Sequence, residues 1–376
     1  MPMEEYRPGL EGVIAAETSI SYLDVEHEEI VIRGYDLLDL ARQKTYVEVA
    51  ALLLEGELPS PEEKERLERR LVEESKVPEK VWEILRLLPP ESHGMDRLRT
   101  AVSALGNFTP HASEATPEAD RKKGWHVLSQ VAAIVANLQR IASNLKPRDL
   151  QPAMGFVENL LYIITGRPPE EEEIRAFDQL LIAYIEHEMP NSTFTARVIA
   201  STLSDLHGAL TGAVASLKGP LHGGANEAVM EMFIEAGSPE GLERLIKEKL
   251  QRKERIMGFG HRVYMKKMDP RAQLMKETLA RLVEKATGNR KAELTNWYET
   301  AVRGEEVMRQ EKGLFPNLDY YAAPVYYALG IPIELYTPLF FASRTAGLVA
   351  HVIEQHAHNR LFRPRVRYTG PRGLKP

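Results

Sequence analysis

Two histidines and one carboxylate in this 376-residue chain each sit inside a short turn-rich segment. The segments are Gly219-Pro220-Leu221-His222-Gly223-Gly224-Ala225-Asn226, Gly258-Phe259-Gly260-His261-Arg262 and Phe315-Pro316-Asn317-Leu318-Asp319-Tyr320. Glycine and proline fix turns, and turns on a rigid scaffold often carry binding and catalytic groups. Two imidazoles and a carboxylate can supply one base and two proton donors. His222 precedes a stretch that reads as a helix over 227–236. The positive end of a helix dipole disfavours imidazolium, so this histidine is expected to be neutral. A neutral imidazole can donate a hydrogen bond to a carbonyl that is becoming an enolate. Taken alone, the segment reads equally as a Gly-rich turn with a capping histidine. Asp319 likewise has a plainer reading as an Asx-turn carboxylate after Pro316-Asn317.

Charge is unevenly placed. The net charge is −6, yet residues 247–271 hold nine Lys/Arg against three acids, and residues 360–376 hold six and no acid. Residues 1–35 hold eight acids and two bases. A basic region on an acidic protein can focus a small anionic substrate. Helix-end charges and a solvated tail account for the same counts. The acidic total argues against a nucleic-acid partner.

Familiar cofactor loops are excluded. Gly258-Phe259-Gly260 lacks the third glycine of a dinucleotide loop, because Val263 stands there, and the segment before it reads as a helix over 242–255. No P-loop pattern occurs. His351, His356 and His358 lie in a helical stretch without an HExxH pattern, so no metal site is expected; polar positions near a helix end explain them.

The elements that must position these groups are mostly helical. Ala and Leu are abundant and aromatics make up only 7%. Two short strands are predicted over 13–24 and 30–33. Ser60-Pro61-Glu62-Glu63 is a helix start, with Ser as N-cap, Pro at N1 and Glu at N3. A helix is predicted over 170–188, with Ile174, Phe177, Leu181 and Ile185 on one face and Leu180, Ala183, Tyr184 and His187 on its flank. His187 therefore points toward packed surroundings, where a hydrogen-bonded core histidine is the ordinary reading. Residues 192–217 are rich in small side chains, with Gly208 and Gly212 four apart; this suits a close helix pair or a subunit interface. Loops are predicted at 107–120 and 286–290. Composition shifts near Gly219 and Ala323, giving a division into 1–218 and 325–376 as one larger domain and 219–324 as a smaller one.

The 43% hydrophobic content supports a large soluble core. There is no cysteine, so disulfides, thiolate zinc sites and cysteine nucleophiles are excluded, and a reducing, cytoplasmic setting fits. No apolar run reaches membrane-spanning length, and the start lacks the pattern of a secretion signal.

Taken together, the segments resemble one family. The two histidine motifs, the Asn317-Leu318-Asp319 motif, His187-Glu188 followed by Asn191-Ser192-Thr193-Phe194-Thr195-Ala196-Arg197, Ser343-Arg344-Thr345 and Arg363-Pro364-Arg365 are similar to those of citrate synthases. The resemblance runs from Gly9-Leu10-Glu11-Gly12-Val13 to Arg365 and is to the short dimeric bacterial and archaeal type. It implies an all-α fold with a large domain and a smaller mobile one. It implies that Asp319 is the base toward an acyl-CoA, that His222 hydrogen-bonds the thioester oxygen, and that His261 polarises the ketone of oxaloacetate. His187, Arg271, Arg344 and Arg363 would bind oxaloacetate, with Arg363 reaching in from the second subunit of a homodimer. Arg255, Ile256, Met257, Gly258 and Phe259 match the stretch whose backbone cradles the CoA adenine, and Lys266 is a candidate for a CoA phosphate. No permanently bound cofactor and no membrane or nucleic-acid partner is implied.

Three stretches look more like bacterial 2-methylcitrate synthases that also make citrate: His187-Glu188-Met189-Pro190-Asn191-Ser192, Tyr264-Met265-Lys266-Lys267-Met268-Asp269 and Asp319-Tyr320-Tyr321-Ala322-Ala323-Pro324. The expected acyl donor is therefore propionyl-CoA, with acetyl-CoA also accepted. An acetyl-CoA-specific citrate synthase is the other reading. A non-catalytic paralogue would have lost Asp319, His222 or His261, and all three are present.

Overall fold

The computed structural model describes residues 6–24, 26–27, 29–260 and 267–376. His261, Arg262 and Lys266 lie outside the described residues, and so do the expectations placed on them.

Near the N-terminus a small antiparallel sheet runs β1 (Ser21–Asp24), β2 (Glu29–Ile32) and β3 (Tyr35–Asp36), in that order. Ser21 pairs with Ile32, and Ile32 in turn with Tyr35. Arg33 and Gly34 both have positive φ, the geometry of a two-residue hairpin turn that follows the twist of its strands. The sequence predicted two strands, the first from residue 13. The strand begins only at Ser21, since Val13 and Ile14 are exposed and lie outside any strand. The third strand is two residues long, too short for an alternating pattern to reveal.

Sixteen α-helices follow among the described residues. They are α1 (Leu37–Gln43), α2 (Tyr46–Glu55), α3 (Pro61–Glu74), α4 (Glu79–Arg86), α5 (Gly94–Gly106), α6 (Pro117–Ala142), α7 (Phe156–Thr165), α8 (Glu171–Ile185), α9 (Asn191–Ala200), α10 (Leu206–Lys218), α11 (Ala225–Ala236), α12 (Pro239–Gln251), α13 (Pro270–Lys285), α14 (Gly288–Lys312), α15 (Leu318–Ala328) and α16 (Tyr336–Ala357). The fold is mainly helical, as expected.

Local chemistry sets the helix ends. Ser60 caps α3 in a reciprocal pair with Glu63, with Pro61 at the first turn, as read from the sequence. Two predicted loops are shorter than expected: Thr116 caps α6 directly before Pro117, and α14 starts at Gly288 after Thr287. The helix predicted over 242–255 runs instead over Pro239–Gln251, capped by Ser238.

The largest departure concerns α8. It stops at Ile185, and Glu186 is extended (φ −156°), so His187 is not on a helix flank. The cause is a distant contact. Glu186 turns its carboxylate into the interior, where Oε1 accepts the Ser21 hydroxyl at 2.8 Å and lies 3.0 Å from His351 Nε2. Glu188 then takes positive φ, and its N–H donates to Ser21 Oγ at 3.0 Å. The small sheet thus pins the turn that carries His187.

α16 is buried along most of its length and packs against α6, α8, α9 and α10. Gly212 on α10 faces Ile199 and Thr195 of α9, where a Cβ would lie 2.2 Å from Ile199 Cδ1; this is the close approach its small side chain predicted. Gly208 serves differently, with its N–H on the capping carboxylate of Asp205. Helices α11 to α15 pack chiefly on one another and meet the rest through α8, α16 and α1.

Candidate active site

Two of the three chemistry-bearing segments are bonded together. Gly260 N–H donates to Phe315 O at 3.0 Å, and Asn317 N–H donates to Gly258 O at 2.9 Å. Asn317 Nδ2 adds a bond to Gly260 O at 3.1 Å, and Phe259 bridges Pro316 in antiparallel fashion. Gly258 (φ +85°) permits this, since a Cβ there would lie 2.7 Å from Val229 and 2.9 Å from Tyr320. The chain leading to His261 and the chain leading to Asp319 therefore form one small ribbon.

Asn317 caps α15 by accepting the Asp319 N–H at 3.1 Å, which places Asp319 in the first turn of the helix. Asp319 Oδ1 accepts the Tyr184 hydroxyl at 2.7 Å. The carboxylate keeps a little solvent access but is ringed by protein. Burial pushes its pKa up, opposed by the Tyr184 hydrogen bond and by Arg271. A carboxylate made more basic in this way suits proton abstraction from carbon.

His222 lies in the turn before α11, with Gly224 as the left-handed N-cap of that helix. Its Nε2 accepts the Ser192 N–H at 3.2 Å, at the start of α9, and lies 2.8 Å from Ser192 Oγ. With Nε2 accepting, the ring proton sits on Nδ1. Burial pulls the pKa down to about 4, with help from the charge of Arg344. The predicted neutral imidazole holds, but burial is its main cause rather than the dipole of the helix that follows.

Arg344 and Phe340 on α16 join these groups. Arg344 is 2% exposed, and its Nε donates to Tyr184 O at 2.6 Å. Burial lowers its pKa to about 10, and the nearby Glu186 carboxylate opposes that shift. Its guanidinium lies over the Phe340 ring, 4.8 Å from the centroid. Phe340 also packs on Tyr184 at 4.4 Å and meets His222 edge-on at 6.5 Å. Asp319, Tyr184, Phe340, His222 and Arg344 are thus one contiguous group.

Arg271, at the start of α13, is buried and forms a paired bond with Asp269: Nε to Oδ1 at 3.1 Å and Nη2 to Oδ2 at 2.8 Å. Asp269 also accepts the Leu318 N–H at 3.3 Å, so Arg271 is tied to the start of α15. His187 is buried just beyond α8. Of the three histidines read as helix-end polar positions, His358 is the exposed C-cap of α16, but His351 and His356 are buried. His351 Nδ1 accepts Arg197 Nε at 2.9 Å while its Nε2 faces Glu186, and buried His356 bonds Asp120. Burial alone would raise the Glu186 pKa, but His351 and Arg344 hold it below the usual range. Among the described residues no cluster is placed to hold a metal ion.

The remaining predicted residues stand apart. Arg255 is exposed, Met257 is half-buried, and the side chains of Ile256 and Phe259 are in the core, leaving their backbone as the available surface. Arg363 lies exposed on the extended segment after α16; among the described residues it makes no hydrogen bond to this group. Sequence reading did not assign Ser192, Asn226 or Phe340, and placed Tyr184 only on a helix flank. The one signal available was that Ser192 and Asn226 fall inside the quoted motifs.

A family model described as "Citrate synthase, C-terminal domain" matches residues 9–365. The chain belongs to the citrate synthase family. The chain is 55% identical to a citrate/2-methylcitrate synthase of Bacillus subtilis, over 98% of each protein. It is 56% identical to a citrate synthase of Heyndrickxia coagulans, over 99% of this chain and 98% of that one. A solved citrate synthase of Thermoplasma acidophilum, in ternary complex with carboxymethyl coenzyme A and oxaloacetate, superposes with a TM-score of 0.91 at 34% identity, over 99% and 98% of the two chains. The citrate synthase fold predicted from the motifs is therefore the fold of this chain. No helix among the described residues is long and apolar enough to cross a membrane.

Proposed function

We propose that this protein condenses a short acyl-CoA with oxaloacetate and water, giving 2-methylcitrate or citrate and free CoA. The observation that carries the reading is the contiguous group of Asp319, Tyr184, Phe340, His222 and Arg344, with a basic carboxylate and a neutral imidazole in one site. Asp319 takes the α-proton of the thioester. His222 donates its Nδ1 proton as a hydrogen bond to the thioester oxygen as that oxygen becomes enolic. The enol carbon attacks the oxaloacetate ketone, and His261 supplies the proton to the new alkoxide. Water then cleaves the thioester and releases CoA.

Oxaloacetate carries two carboxylates. Arg344 and Arg271 act on Asp319 through their charge, and His187 is buried in the turn after α8; the two guanidinium groups would hold the carboxylates by paired, charge-assisted bonds, with His187 beside them. Arg363 comes from the second copy in a homodimer. The backbone of 255–259 receives the CoA adenine, and Lys266 a CoA phosphate. Residues 219–324 act as a smaller domain that closes over oxaloacetate and shields the enol from water. No permanently bound cofactor takes part, and the enzyme works in the cytoplasm.

The acyl donor is propionyl-CoA, with acetyl-CoA also accepted. The relative from Heyndrickxia coagulans favours the second reading, an acetyl-CoA enzyme. One methylene changes pocket preference by only ~1–3 kcal/mol, so use of both donors is the physical expectation. Free CoA should appear only when oxaloacetate and an acyl-CoA are both present. The ratio of kcat/KM for propionyl-CoA and acetyl-CoA decides the donor. A ratio favouring acetyl-CoA by about a hundredfold, near the upper end of what one methylene gives, would overturn the propionyl assignment.

A further inference from the structure

We infer that Tyr184 is a positioning residue for the base: its hydroxyl, aimed by Asn226, fixes Asp319 Oδ1 and leaves Oδ2 for the substrate proton. The inference rests on the reading of Asp319 as base.

Tyr184 lies in the last turn of α8, two residues before the chain turns away at Glu186. Its ring is held between Phe340, at 4.4 Å, and Tyr326, at 6.2 Å. Its backbone carbonyl is taken by Arg344 Nε. The hydroxyl oxygen accepts Asn226 Nδ2 at 3.3 Å and donates its proton to Asp319 Oδ1 at 2.7 Å. Asn226 is itself oriented, because its Oδ1 accepts the Glu227 N–H at 2.8 Å. With the amide N–H on its lone pair, the phenol has one direction left for its proton. A single line of donors therefore runs from the His222 segment, through Asn226 and Tyr184, to Asp319.

The arrangement joins three parts of the chain. Asn226 is four residues from His222, Asp319 opens α15, and Tyr184 closes α8. A carboxylate oxygen held by a strong donor is fixed in orientation and is the less basic of the two. That directs abstraction to Oδ2. It also keeps Asp319 ionised in a site where burial favours the neutral acid. Among the described residues, the charged and titratable groups facing Asp319 are Tyr184 on α8, Asp269 and Arg271 at the start of α13, Arg344 on α16 and Tyr326 on α15. Of the groups that favour the carboxylate form, Tyr184 is the largest contributor, ahead of Arg271 and Arg344.

Tyr184→Phe removes the hydroxyl and keeps the ring that packs on Phe340 and Tyr326. With both substrates saturating, kcat should fall roughly 10- to 100-fold, the range expected for losing one hydrogen bond to a charged group. KM for oxaloacetate should stay within about threefold, because the Arg344 contact uses the Tyr184 backbone. The acid limb of the kcat–pH profile should move to higher pH, since burial of Asp319 is then less opposed. Oxaloacetate binding by calorimetry confirms that the variant is folded. An acid limb superimposable on that of the wild type, with Asp319→Asn inactive, would overturn the role of Tyr184 and leave the base assignment standing. Full turnover by Asp319→Asn would instead remove the base assignment and the role of Tyr184 together.

Discussion

The Nε2 atom of His222 faces the first turn of α9, accepting the Ser192 N–H at 3.2 Å with Ser192 Oγ at 2.8 Å. One side of the imidazole is thereby committed as an acceptor, and the opposite nitrogen carries the proton. The two sides of the ring have separate work: one is anchored to the fully buried Ser192, the other carries the donor proton.

This geometry discriminates between amide replacements. The side-chain nitrogen of asparagine overlies Nδ1 of histidine, and that of glutamine overlies Nε2. His222→Asn should keep part of the donor function and lose about 10²–10³ in kcat, the range for weakening one oxyanion donor. His222→Gln should lose at least tenfold more. Equal losses, or a better glutamine variant, would mean that Nε2 is the working donor. Because the imidazole pKa lies near 4, replacing His222 should leave the shape of the kcat–pH profile between pH 5.5 and 8 unchanged.

Gly347 makes a second test. It lies on α16 where a Cβ would fall 2.2 Å from Glu186 Oε2 and 2.6 Å from Ile185 O. The second of these is backbone and cannot rotate away. Gly347→Ala should cost about 1–3 kcal/mol by overpacking. The displaced Glu186 turn carries His187, so KM for oxaloacetate should rise more than kcat falls. A variant with wild-type Tm and wild-type KM would show that the Glu186 turn does not position the site.

Much of this was legible in the residues, and the failures share a cause. The α3 start was readable because Ser60, Pro61 and Glu63 interact within one turn. The Gly212 approach was readable from side-chain size alone. The end of α8 was not, because the helical pattern continues to residue 188 while Glu186 is drawn out by Ser21 and His351, both 165 residues away. His351 itself looked like a helix-end polar group for the same reason. Tyr184 was seen as a flank residue, but its partners Asp319 and Asn226 lie 135 and 42 residues off. Local chemistry reveals caps and turns. The identity of a buried polar partner needs the tertiary structure.

The proposed dimer can be tested by complementation. Asp319→Asn and Arg363→Ala should each be nearly inactive. In a mixed dimer one site receives both defects and the other receives none. Mixing equal amounts under conditions that exchange subunits should restore about a quarter of wild-type activity, since half the dimers are mixed and each has one intact site. No recovery, with exchange verified, would place Arg363 in the same site as Asp319 of its own chain or outside the site altogether.

A last prediction concerns stability away from the site. Asp178 on α8 is 9% exposed, and its Oδ1 accepts the Tyr46 N–H at 2.7 Å. Burial raises its pKa from 3.8 to about 7; the nearby carboxylates Glu68 and Glu48 add to this, while the Tyr46 N–H opposes it. The folded chain therefore binds this proton more tightly than the unfolded chain. The stabilisation from the bound proton is complete below pH ~4 and is lost as the pH rises toward 7. Asp178→Asn keeps an acceptor for Tyr46 and never ionises. Its advantage over wild type should be small at pH 4.5 and grow to pH 8, reaching at most about 4 kcal/mol. Urea unfolding at the two pH values measures it. A difference independent of pH would mean that Asp178 is already ionised in the folded protein, with Lys64 rather than a proton balancing its charge.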